Sequence, residues 1–139
     1  GFFTYIAGTV VHRAGGKLHS VDLSEENVEF ARTWTALFGD AVTIHQDDSV
    51  GFLSQFREEI DVLYLDSLDT TEPEHAAHCL REVEAALPRL HTGSLICIDD
   101  TPWNGGAFIG KGATAVPWLV DHGWQVIYAG YQVVLKRQN

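Results

Sequence analysis

The stretch Ser94-Leu95-Ile96-Cys97-Ile98-Asp99-Asp100 carries the strongest statement about fold in this chain. The run from Ser94 to Ile98 is apolar without alternation, which marks a strand covered on both faces and central in a parallel sheet. Two carboxylates follow at its carboxyl end, where an open α/β sheet places its ligand crevice. The pattern recurs outward along the chain. Asp22 ends a strand predicted over 17–23, Asp47 and Asp48 follow one over 41–46, and Asp66 follows Leu63-Tyr64-Leu65 in one over 61–68.

Helical periodicity fills the gaps between these strands. Residues 2–13 form a predicted helix stopped by Gly15-Gly16. Ser24 caps the next, with Glu25 and Glu26 in its first turn, and Val28, Ala31, Trp34 or Thr35, and Phe38 on one face. A short helix runs through Phe52, Leu53 and Phe56. Thr71 and Glu74 stand at capping-box spacing ahead of Ala76, Leu80, Val83 and Leu87. His91-Thr92-Gly93 reads as a turn, 99–112 as a long loop, and 113–122 as a helix. Residues 124–129 and 131–136 are strands joined too tightly for a crossover, so the sheet ends in an antiparallel hairpin. The prediction is one α/β domain over residues 1–139, with helices on both faces of a mostly parallel sheet.

The 139 residues carry 19 acidic and 9 basic side chains, a formal charge of −10. Such a surface disfavours nucleic acid, whose partners present clustered Lys and Arg. No run approaches a membrane span, and the N-terminus has no signal-peptide pattern. Cys79 and Cys97 form no disulfide framework, which points to a reducing, cytoplasmic setting.

Each acidic strand end has a structural reading beside a functional one. Asp22 can accept bonds from ribose hydroxyls or make an Asx turn before Ser24. Asp48-Ser49 can border an adenine or cap the following helix. Asp66, Asp99 and Asp100 repel one another unless protonated or bridged by a cation. A hard divalent ion, Mg²⁺ above all, answers that need with oxygen ligands, whereas the plainer reading has Asp99-Asp100 opening a loop. His75, His78 and Cys79 lack a fourth zinc ligand, and Gly110-Lys111-Gly112 lacks Walker spacing, which leaves a lid with one basic contact.

With these residues assembled, the chain resembles the class I S-adenosylmethionine-dependent methyltransferases, in particular small-molecule O-methyltransferases of the catechol and macrocin type. The matching pieces are Gly16 to Ser24, Val42 to Ser49, Asp61 to Ser67 and Leu90 to Asp100. The resemblance implies a Rossmann-like three-layer sandwich that transfers a methyl group from S-adenosylmethionine to a small-molecule acceptor, a hydroxyl oxygen in this subgroup. It gives Gly1, Asp22, Leu23, Asp48, Ser49 and Asp66 to the cofactor, and Asp66, Asp99 and Asp100 to Mg²⁺. Asp66 and Asp99 are its catalytic carboxylates, with Lys111 or His122 as a stand-in for a base that the catechol-type enzymes carry where this chain has Asp69.

The resemblance also implies that the family's first strand and most of its glycine-rich loop are absent ahead of residue 2, Gly1 being the last glycine of that loop. A sheet without its first strand has open interior edges, so self-association to a homo-oligomer is expected. The competing reading is an inactive module that keeps the fold for structure or interaction and binds no cofactor. A phosphoacceptor receiver domain needs its acidic pair after the first strand, and Asp99-Asp100 comes too late for that.

Overall fold

The computed structural model describes residues 2–138. Gly1, which the resemblance assigns to the cofactor, lies outside the described residues. The chain divides into two compact units, Gly1–Phe52 and Leu53–Asn139.

The first unit holds α1 (Phe2–Ala14), β1 (Leu18–Asp22), α2 (Glu25–Thr35), β2 (Val42–Gln46) and the start of α3 (Ser49–Gln55). Gly15 ends α1 in the left-handed region at φ 71, which lets the Gly16 N–H reach the Val11 carbonyl at 3.0 Å. The Ser24 hydroxyl caps α2 by accepting from the Asn27 N–H. Val28, Ala31 and Ile44 make the core, with Val42 packed on it. Between Trp34 and Thr35 the helix buries Thr35, whose hydroxyl donates to the Ala31 carbonyl at 2.8 Å and so enters the core satisfied; Trp34 stays 54% exposed. Strands β1 and β2 pair in parallel from Leu18↔Val42 to Asp22↔Gln46.

The second unit holds β3 (Ile60–Leu65), α4 (His75–Ala86), β4 (Leu90–Ile98), β5 (Trp103–Asn104), β6 (Ala107–Phe108), α5 (Ala115–Asp121), β7 (Trp124–Ala129) and β8 (Val133–Arg137). Its main sheet runs β3-β4-β8-β7. Strands β3 and β4 are parallel, and β8 is antiparallel to both β4 and β7, as the closing hairpin requires. Ile96 and Ile98 are fully buried in β4, which has a partner on each side. Among the described residues, β1 pairs only with β2 and β3 only with β4, so each keeps one open edge.

Three local expectations give way to competing hydrogen bonds. The capping box does not form, because the Thr71 N–H and hydroxyl both donate to Asp69 Oδ1 at 2.9 Å, and α4 starts later, at His75. Residues 91–93 are not a turn before a strand but a bulge within β4. The register jumps from Ile60↔Leu90 to Val62↔Leu95, and the buried Ser94 hydroxyl closes the bulge by accepting from the His91 N–H and donating to the Ile60 carbonyl, each at 2.8 Å. Inside the expected loop 99–112 sits the hairpin β5–β6. Its tip, Gly105-Gly106, has φ 61 and 142, values that glycine adopts without a Cβ clash.

Candidate functional site

The carboxyl ends of β1 and β2 lie side by side because the pairing is parallel and in register, and the Asp47 N–H donates to the Asp22 carbonyl at 3.2 Å. Asp22 Oδ1 accepts from the Ser24 N–H at 2.8 Å and Oδ2 from Asn27 Nδ2 at 3.1 Å, so the Asx turn is present. Each carboxylate oxygen keeps a second lone pair for a ligand hydroxyl. Leu23 follows, 70% exposed. Asp48 Oδ2 accepts from the Gly51 N–H at 2.7 Å, the helix-cap arrangement, and Ser49 opens α3.

Beneath this strand end, His19 Nδ1 and His45 Nε2 are 3.0 Å apart, with the rings stacked and Phe52 against His45. Burial, then the His19 charge and that of Arg32, hold His45 below its ordinary pKa, with Asp47 opposing. The unfolded chain therefore binds a proton at His45 more readily than the folded one, and this part of the stability is lost as pH falls below about 6.5. Thermal unfolding is expected to move down between neutral pH and pH 5.5 in the wild type. A His45→Gln chain is expected to lose less over the same range.

In the second unit, β3 and β4 end together. Leu65 pairs with Ile98, and the Asp99 N–H donates to the Leu65 carbonyl at 3.0 Å, which brings Asp66 beside Asp99 and Asp100. Both Asp99 oxygens have other partners: Oδ2 accepts from the Tyr64 hydroxyl at 2.8 Å, and Oδ1 accepts from the Asp100 N–H at 2.9 Å. Burial and this bond to Asp99 push the Tyr64 phenol up, and Gln132 Nε2 donates to its oxygen at 3.0 Å. The Tyr131 hydroxyl and the Lys111 ammonium hold Asp100 below the usual carboxylate range. Behind Asp66, the Ser67 hydroxyl donates at 2.6 Å to Glu82, which is 2% exposed.

Lys111 completes the cluster. It is 4% exposed, and its ammonium donates to Asp66 Oδ1, to the Asp66 carbonyl at 3.3 Å and to Asp100 Oδ2 at 3.0 Å. Burial alone would lower its pKa, but the two carboxylates outweigh burial and raise it. With three N–H groups engaged and the proton held, Lys111 does not have the free lone pair of a general base.

Backbone contacts fix Lys111 in place. The Lys111 N–H donates to the Asp100 carbonyl at 3.1 Å, the Gly112 N–H to the Thr101 hydroxyl at 2.9 Å, and the Ile109 N–H to the Pro102 carbonyl at 3.1 Å. Among the described residues, the non-glycine residues with positive φ are Leu68 (50) and Asp100 (46), and such strain collects at working sites.

Asp66, Asp99 and Asp100, the residues assigned to a metal, are each drawn to other partners. Among the described residues, no three or more His, Cys, Asp or Glu side chains are grouped to take a metal ion. The reason is local: a lysine ammonium sits between Asp66 and Asp100, and Asp99 is committed to Tyr64. The sequence reading missed Tyr64 and gave Lys111 another role, that of a base or a lid contact. The polar Tyr64 in an apolar strand was a signal for the first. The glycines flanking Lys111, which let its backbone press against residues 100 and 101, were one for the second.

A cavity of about 310 Å³ opens between the β5–β6 hairpin and α5, lined by Trp103, Phe108, Val116, Pro117, Val120 and Asp121. Trp103 and Phe108 meet edge to face with centroids 4.9 Å apart. Trp118 does not line it and stacks on His122 instead. No helix among the described residues is long and apolar enough to cross a membrane.

The acidic strand ends sit on a Rossmann-like α/β frame, and the comparison with protein families supplies the class. A family model described as "Methyltransferase domain" matches residues 1–101, so the chain belongs to that family. Comparison with curated proteins finds no match. Similar solved structures include SMU.1697c from Streptococcus mutans in complex with SAH, at 18% identity and TM-score 0.60 over 88% of this chain and 76% of that one. The SAH-bound Podospora anserina methyltransferase PaMTH1 aligns at 13% identity and TM-score 0.62 over 88% of this chain and 61% of that one. An rRNA methylase from Streptococcus thermophilus aligns at 15% identity and TM-score 0.59 over 88% and 74%. At these identities the likeness is one of fold.

Proposed function

We propose that this chain is a single methyltransferase domain that transfers a methyl group from S-adenosylmethionine to a hydroxyl oxygen of a small molecule. The observation that carries this reading is the family match over residues 1–101, which spans Asp22, Asp48, Ser49, Asp66, Asp99 and Asp100. Asp22 receives the ribose hydroxyls; Leu23, Asp48 and Ser49 border the adenine. Asp66 faces the reacting end. S-adenosylmethionine supplies an electrophilic methyl on a sulfonium, and transfer is an in-line displacement that forms the C–O bond as the C–S bond breaks. Asp66, exposed on one side and held by Lys111 on the other, orients the acceptor hydroxyl and takes its proton. Asp99, tied to Tyr64, keeps the strand end in shape rather than touching the acceptor.

The acidic charge of −10 favours a small acceptor over RNA, and the aromatic cavity beside the β5–β6 hairpin suits an acceptor with an apolar ring or face. Both cysteines are free thiols, in keeping with a cytoplasmic location. The test is calorimetric titration of the full chain with S-adenosylmethionine and S-adenosylhomocysteine. Saturable heat supports the reading, and its absence from both this chain and an N-terminally extended one sinks it.

Self-association through the open edges of β1 and β3 belongs to the same proposal. Sedimentation is expected to give a species larger than a monomer at micromolar concentration. A clean monomer there would argue against it.

A further inference from the structure

We infer that Lys111 is the resident cation of the acidic strand ends: its ammonium occupies the place that a divalent ion would need, and the chemistry at Asp66 and Asp100 runs without a metal. The family match ends at residue 101, ahead of this lysine. The clustered carboxylates need a positive charge near them, and Lys111 provides it from within the chain. Its donors meet both carboxylates and the Asp66 carbonyl.

A metal cannot simply join this arrangement. An ion within bonding range of Asp66 and Asp100 would stand a few ångströms from the ammonium, in a site where the lysine is 4% exposed and like charges are poorly screened. Magnesium also asks for near-octahedral oxygen ligands, and the third carboxylate, Asp99, is turned toward Tyr64 and its own backbone. Nor can Lys111 swing out freely. Its backbone is bonded to Asp100, and the flanking glycines sit where a Cβ would press on Asp100 and Thr101. Ejecting the side chain means breaking its bonds to both carboxylates and to the Asp66 carbonyl.

The counter-ion role stands on geometry alone; only the metal independence of the transfer rests on the methyltransferase reading. The test is Mn²⁺ titration of the full chain by calorimetry, with thermal unfolding measured in Mn²⁺ and in EDTA. The wild type is expected to give no saturable binding, and its unfolding midpoint is expected to stay put in both. Lys111→Met keeps the length of the side chain and removes the charge. It is expected to bind Mn²⁺ at least about tenfold more tightly than the wild type, a gain of about 1.4 kcal/mol or more. Adding Asp66→Asn should remove that gain.

A Lys111→Met chain that is unfolded alone and regains its transition in Mn²⁺ is the same result. Saturable Mn²⁺ binding by the wild type that Asp66→Asn abolishes overturns the inference. So does a Lys111→Met chain, folded or unfolded, that Mn²⁺ neither binds nor rescues. None of these readouts involves the methyl donor, so their failure is distinct from a failure of the proposed activity.

Discussion

Gly110→Ala is expected to destabilise the second unit by about 3 kcal/mol, the sum of a strained left-handed backbone and an overpacked contact. Gly110 has φ 73, and a Cβ there would stand 1.9 Å from the Asp100 carbonyl oxygen and 3.1 Å from its carbon. Both neighbours are backbone, so neither can rotate away. The loop must lift, which breaks the Lys111 N–H bond to Asp100 and draws the ammonium from its carboxylates. For a chain of this size the unfolding midpoint should fall by roughly 10 °C. Gly105→Ala, at φ 61 with nothing within 4 Å of its Cβ, is the control: it carries only the backbone strain and should cost less than half as much. Equal losses in the two variants would mean that the 100–110 contact does not hold this loop.

The second large effect concerns the proposed cofactor. Asp22→Asn keeps an oxygen to accept from the Ser24 N–H at the Asx turn, so the strand-to-helix junction survives. It removes the charge and an acceptor on which two ribose hydroxyls would depend. Hydrogen bonds to a charged group contribute about 1.5–3 kcal/mol, so the dissociation constant for S-adenosylhomocysteine should rise about 10- to 100-fold. Thermal unfolding measured alongside should barely change. An unchanged dissociation constant would remove Asp22 from the cofactor site and leave it the turn alone.

Much of this fold could be read residue by residue, and the limits have physical causes. The unbroken apolar run 94–98 announced an inner strand, and β4 has partners on both sides. The tight connection near Gly130 announced the closing hairpin, and β7 and β8 pair as read. Thr71 misled because an Asx turn at Asp69 and a helix cap draw on the same hydroxyl, and spacing does not say which wins. The bulge at 91–94 escaped because Ser94 bonds to Ile60, 34 residues away, and long-range partners leave no periodic trace.

The candidate site divides in the same way. Parallel pairing made the acidic strand ends legible one by one. The identity of the cation among them was not, since that depended on where a lysine 45 residues beyond Asp66 would fold back. The charge argument asked for a cation, and the chain brings one of its own, Lys111, to Asp66 and Asp100.

The closure of residues 100–102 on 109–112 also isolates what lies between them. The hairpin that carries Trp103 and Phe108 springs from a base already bonded shut, so its tip can lengthen, shorten or change composition without moving Asp66, Asp100 or Lys111. Loop length at such a tip adds little closure entropy. On the proposed reading the hairpin is therefore an exchangeable cassette, and hairpins grafted between Asn104 and Ala107 are expected to leave the charged centre as it is.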